Sequence, residues 1–237
     1  MTANKPAKGA LVVGATGGMG QAIALALAER HYQLVLVGRD GKALADLADR
    51  CAAVGGTAFT AAIDISDTSS LPDKIEAEIA KLDQLELMVH CAGTYAGGTA
   101  DEADLAAWDH ALDTNFRAFV HISRTALPAI NKSGHGAVIC IGSLGYAGPA
   151  IQVASKQALA GYCERLFEDV REYGTKVCLI RPGFVNTKFV NSARLDRTKM
   201  VQPDDIARTM FYVLDMPQTS CPSEIKLRPQ FTPYKKS

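Results

Sequence analysis

The sequence predicts an α/β domain built on one doubly wound, parallel sheet of about seven strands. Short aliphatic runs at 10–13, 34–37, 58–61, 85–89, 137–141, 177–180 and 224–227 are apolar throughout rather than alternating, which marks strands buried on both faces. Between them lie stretches of helical periodicity at 19–30, 42–54, 71–81, 105–127, 153–173 and 204–214. Strand and helix alternate over all 237 residues, a length that a single α/β domain can span.

Composition narrows the classes of function. Hydrophobic residues make up 48% and charged residues 21%, enough for a sizeable core. Lys plus Arg (25) equals Asp plus Glu (25), so no net field draws the chain to nucleic acid or an anionic membrane. The lysines before 10–13 precede an apolar run too short for a leader peptide or a membrane span. Cys51, Cys91, Cys140, Cys163, Cys178 and Cys221 form no C-x-x-C pair and read as reduced thiols of a cytoplasmic protein. The five histidines show no H-E-x-x-H spacing, so no metal is expected.

The first strand runs into Gly14-Ala15-Thr16-Gly17-Gly18-Met19-Gly20, and a helix follows at once. Glycines here allow a tight turn, a close approach to a pyrophosphate and close helix–strand packing. The amides at the helix start then face the phosphates, and the helix dipole adds to the attraction. A strand before and a helix after is the context that a dinucleotide turn requires. The expectation is a Rossmann-type single domain.

The spacing Gly14-x-x-x-Gly18-x-Gly20 resembles the short-chain dehydrogenase/reductase family, and further landmarks follow in the family's order. Asp64, followed by Ile65, matches the aspartate that contacts adenine. Cys91-Ala92-Gly93 matches N-A-G with cysteine in place of asparagine, and Asn115 matches an active-site asparagine. Ser143 matches the catalytic serine, Val153-Ala154-Ser155-Lys156 the end of Y-x-A-S-K, and Pro182-Gly183-Phe184-Val185-Asn186-Thr187 the P-G-x-V-x-T turn. The resemblance covers nearly the whole chain. It implies a nicotinamide coenzyme held by Gly14, Thr16, Gly18, Met19, Gly20, Asp64, Ile65, Ala92, Gly93, Lys156, Pro182, Gly183, Val185 and Thr187.

The second strand ends Val37-Gly38-Arg39-Asp40. Gly38 stands where an NAD enzyme is expected to carry its ribose-binding carboxylate. Arg39 can stack on adenine and pair with a 2′-phosphate, so NADP(H) is favoured over NAD(H). Arg39 also reads as an ordinary surface arginine. Asp40 points the other way, since a small shift of the turn would bring it to the ribose.

The resemblance implies that a tyrosine protonates the substrate, that Lys156 lowers its pKa and holds the nicotinamide ribose, that Ser143 orients the carbonyl and that Asn115 supports a water relay. Yet the residue four before Lys156 is Gln152, and Ser143 lies close enough to Lys156 that the loop 144–151 is shortened. A general acid is typically worth about 10²–10⁴ in rate, whereas orientation contributes roughly 7–11 kcal/mol. Losing the phenol therefore cripples ketone reduction but need not abolish hydride transfer. Three readings stay open: another donor such as Tyr146 or Lys156 substitutes; the substrate is an imine or iminium that needs no proton on oxygen; or turnover is gone and the chain is a coenzyme-binding sensor, scaffold or non-redox enzyme. Tyr146 also reads as a surface loop residue.

The polar, basic segment 188–202 reads either as a substrate-covering loop or as plain surface. His90 falls near the expected nicotinamide site, although an edge-of-core histidine accounts for it as well. No G-x-S-x-G surrounds Ser143, so a hydrolase triad is unsupported. Helices 105–127 and 153–173 carry apolar residues on more than one face, and family members commonly pair these helices, so a homodimer or homotetramer is expected. The expected partner is a small organic substrate.

Overall fold

The computed structural model describes residues 6–145, 148–190 and 192–235. Strands β1 (Lys8–Val13), β2 (Gln33–Gly38), β3 (Thr57–Ala62), β4 (Gln84–His90), β5 (Ala137–Ile141), β6 (Lys176–Pro182) and β7 (Glu224–Leu227) form one sheet in the order β3-β2-β1-β4-β5-β6-β7. Every neighbouring pair is parallel. The helices are α1 (Gly18–Glu29), α2 (Gly41–Ala53), α3 (Leu71–Ile79), α4 (Leu105–Leu112), α5 (Ala118–Lys132), α6 (Ala150–Val170) and α7 (Pro203–Asp215).

Side chains leave a strand on alternate faces, and the core divides accordingly. Ala10, Val12, Leu87 and Val89 face a layer made of Ile23 and Leu27 of α1, Leu44 and Leu47 of α2, and Met210 and Val213 of α7. Leu11, Val13 and Met88 face Ile75 of α3, Phe119 and Ile122 of α5, and Leu159 and Leu166 of α6. Helices thus cover both faces, which is why β1, β4 and β5 are buried at nearly every position while edge strand β7 is half exposed. The result is a single-domain Rossmann fold. The order of strands reverses between β1 and β4, and the crevice at their carboxyl ends is where such sheets bind ligands.

The structure departs from the sequence expectation along 105–127. Instead of one regular helix, α4 passes through a π turn at Asp113–Arg117, closed by the Ala118 amide donating to the Asp113 carbonyl, and α5 then continues through Pro128 to Lys132. Ile130, beyond the proline, is fully buried, and this packing carries the helix past its breaker. Among the described residues no helix is long and apolar enough to cross a membrane.

Candidate active site

At the end of β1 the chain turns through Gly14 with φ +80°, and a Cβ there would lie 2.6 Å from the Ala92 amide nitrogen. A Cβ at Gly20 would run into the Gly14 carbonyl, and one at Gly18 would come within 2.8 Å of Thr187 Cγ2. These glycines let the start of α1, the end of β4 and the segment after β6 close on one another. Met19 lies half-buried against the α1 core layer. Gly14 and Thr16 line a cleft together with Arg39, Asp64 and Ile65 on one side and Ala92 and Gly93 on the other. Thr114, just before Asn115, also lines it, and its buried hydroxyl has no hydrogen-bond partner among the described residues.

The three residues that close β2 have distinct tasks. A side chain at Gly38 would crowd Thr16, whose Oγ1 lies 3.2 Å from the Cβ position. Asp40 caps α2, its carboxylate accepting from the Ala43 amide at 3.0 Å. Arg39 is exposed and makes no hydrogen bond or ion pair among the described residues. Asp64 accepts from the amide and the hydroxyl of Ser66, at 3.0 and 2.8 Å. Those bonds, with the nearby Arg39 charge as a lesser cause, hold its carboxyl below the usual range.

Beyond Gly93 the cleft reaches a polar network. The Thr94 amide donates to Asn115 Oδ1 (2.7 Å), Asn115 Nδ2 donates to the Thr94 carbonyl (3.1 Å) and to Ser155 Oγ (3.3 Å), and the Ser155 hydroxyl donates to the Gln152 carbonyl (3.1 Å). Gln152 Nε2 donates to the same Thr94 carbonyl at 3.1 Å. A carbonyl only accepts, so it fixes both amide orientations: the NH₂ ends face Thr94, and the Gln152 Oε1 end is left over. A Cβ at Gly93 would lie 3.3 Å from Asn115 Oδ1 and 3.4 Å from Lys156 Nζ, so the bare glycine keeps the space between them open. Desolvation pulls the Lys156 ammonium below its ordinary pKa.

Ser143 lies just past β5. Its Oγ accepts from the Gly145 amide at 2.9 Å, and its carbonyl accepts from Arg181 Nε at 3.0 Å. Among the described residues no hydrogen bond joins it to Gln152, Asn115 or Lys156. Tyr146 lies outside the described residues. Pro182 ends β6, and Gly183 follows with its amide on the Leu227 carbonyl at 2.8 Å. Val185 pairs with Val201, which ties the P-G turn to the far end of 188–202. Sequence reasoning missed Thr94, Thr114, Ser155 and Arg181. Thr94 acts only through its backbone, which leaves no signature in residue type.

The fold and the cleft define a Rossmann-type domain of the kind that serves nicotinamide oxidoreductases. The chain belongs to the short chain dehydrogenase family, whose sequence pattern matches residues 8–198. Its relatives include an uncharacterized oxidoreductase of Staphylococcus epidermidis, 27% identical over 226 residues with 94% of this chain and 97% of that protein covered. Sulfoacetaldehyde reductase 2 of Chromohalobacter salexigens is 28% identical, covering 87% and 88% of the two chains. Among solved structures, a metagenomic short-chain oxidoreductase in complex with NADP superposes with a TM-score of 0.82 at 28% identity, over 95% of this chain and 98% of that one.

Proposed function

We propose that the protein is an NADP(H)-dependent oxidoreductase that acts on a small organic substrate through a site altered at the proton donor. The observation that carries the coenzyme reading is an arginine at the cleft rim with no hydrogen bond or ion pair among the described residues, beside an aspartate already used as a helix cap. Arg39 is free to take a 2′-phosphate, and Asp40, holding the Ala43 amide, is turned away from the ribose task. The glycine cradle at 14–20 and the open space at Gly93 fit a dinucleotide laid from Arg39 toward Lys156. The related oxidoreductase solved with NADP supports the same choice.

The coenzyme supplies a hydride when bound; the chain's own groups decide which acceptor is served. Gly14, Gly18 and Gly20 with the α1 amides hold the diphosphate, Asp64 and Ile65 border the adenine, and Pro182, Gly183, Val185 and Thr187 close over the nicotinamide end. Lys156 holds the ribose. The Ser143 hydroxyl orients the substrate, and Asn115, bonded at both ends of its amide, positions Thr94 and Gln152. Gln152 donates no proton near neutrality. With its NH₂ on Thr94, it offers the site an acceptor oxygen where the family places a phenol donor. An acceptor suits a substrate that brings its own N–H or positive charge, which favours an imine or iminium over a neutral ketone.

The test is a titration of NADPH fluorescence followed by turnover with cyclic iminium and ketone substrates. We expect Arg39→Ala to weaken NADPH about tenfold, the worth of one charge-assisted contact, and NADH by much less. We expect iminium reduction to exceed ketone reduction. Coenzyme binding with no turnover of either class would favour a sensor or scaffold. Six free cysteines fit a reducing cytoplasm. Exposed Leu105 on α4 leaves apolar surface for a homodimer or homotetramer, which light scattering would weigh.

A further inference from the structure

The chain after β7 does not trail away. It crosses a cavity of about 450 Å³ lined by Arg228, Phe231, Lys199 and Arg208, and touches down at its end. There the Asp196 amide donates to the Pro233 carbonyl at 2.7 Å, the Lys235 amide donates to the Arg194 carbonyl at 2.9 Å, and Leu195 and Tyr234 form an antiparallel bridge. The Tyr234 ring meets Phe184 edge-on, with centroids 5.8 Å apart. Phe184 directly follows Gly183 of the P-G turn, and the Val201 amide donates to its carbonyl at 3.0 Å. One residue of the tail therefore links the stretch 194–196 to the turn that follows β6.

We propose that Tyr234 is a positioning residue whose ring, seated on Phe184, latches the C-terminal tail onto residues 194–196 and so fixes that stretch beside the turn after β6. The latch is read without turnover, and only its bearing on the coenzyme site rests on the function proposed above. Beyond Pro229, which lies against Gly183, the backbone hydrogen bonds of the tail among the described residues are those of Pro233 and Lys235. The Tyr234 hydroxyl has no hydrogen-bond partner among the described residues, so the ring and not the hydroxyl makes the contact.

The Arg194–Leu195 bond reports the latch directly, because its carbonyl is the one bonded to the Lys235 amide. Trypsin must displace the tail to cut there, and the cleavage rate follows the population of the released form. Full-length wild type, Tyr234→Ala and Tyr234→Phe and a chain ending at Thr232 are digested, and peptide masses are followed at Arg194 and, as a control, after Lys132 at the end of α5. An edge-to-face pair is worth enough to make Tyr234→Ala cut about fivefold faster at Arg194. Tyr234→Phe should stay within about twofold of wild type, since it keeps the ring. The truncated chain should match or exceed Tyr234→Ala, and the Lys132 site should be unchanged in all. An unaltered Arg194 rate in both Tyr234→Ala and the truncated chain overturns the latch, as does equal acceleration after Lys132. No turnover is read, so failure of the catalytic proposal leaves this result interpretable.

Discussion

Gln152 occupies its site as a bonded member of a network rather than as a loose replacement. Its amide and that of Asn115 converge on one carbonyl, Thr94, while bare Gly93 keeps the space between Asn115 and Lys156 open. Restoring a phenol by Gln152→Tyr is therefore expected to raise ketone reduction by about 10²–10⁴, the range of a positioned general acid, if Ser143 stands within reach. The readout is kcat/KM for a ketone and an iminium measured in parallel. A gain confined to the ketone supports the reading of the site, and no gain places the obstacle in the shortened loop 144–151. The glycine spacing, Asn115 and Lys156, which the structure brings together around Gly93, were legible in the sequence. Which atoms of Gln152 are left over was not, because that depends on a backbone carbonyl in the turn after β4.

At the scale of elements, Asp40 shows how one residue type serves two tasks that sequence cannot separate. An aspartate just past the second strand reads equally as a ribose ligand or as a helix cap, and the Ala43 amide decides for the cap. Asp40→Ala is expected to cost about 1 kcal/mol of unfolding free energy, a usual value for a lost N-cap, and to leave the NADPH-to-NADH preference unchanged. Urea unfolding and paired coenzyme titrations check both parts. A fall in selectivity would return Asp40 to the ribose. The π turn at Asp113–Arg117 likewise escaped the sequence. No glycine or proline marks it, and the hydrophobic period of 105–127 is indifferent to one wide turn. That turn sets Asn115 among Thr94 and Ser155.

For the molecule as a whole, burial of one histidine gives a pH signature. His90 is fully buried at the end of β4, packed on the Phe119 ring with centroids 5.1 Å apart, and neither ring nitrogen has a partner among the described residues. Desolvation, with a smaller push from the Lys156 charge, lowers its pKa from 6.5 to about 3. The unfolded chain takes up this proton below its ordinary value, whereas the folded chain refuses it until far lower pH. Stability from this group is thus complete above the unfolded value and declines as pH falls toward the folded one. Between about pH 6 and pH 5 the wild type should lose about 1 kcal/mol more than His90→Leu in chemical unfolding. Parallel profiles for the two proteins would remove His90 as the cause.

The alternation of apolar runs and helical stretches determined the parallel, doubly wound sheet, since burial on both faces imposes that pattern on every strand. The glycine turn determined the crevice, because only residues without a Cβ permit the approach of β1, β4 and α1 seen at Gly14 and Gly20. What tertiary structure alone decided are contacts between residues far apart in the chain: Gln152 with Thr94, Arg181 with the Ser143 carbonyl, and Pro233 to Lys235 with the segment 194–196. These run through backbone carbonyls and amides, which every residue carries, so residue type records no trace of them.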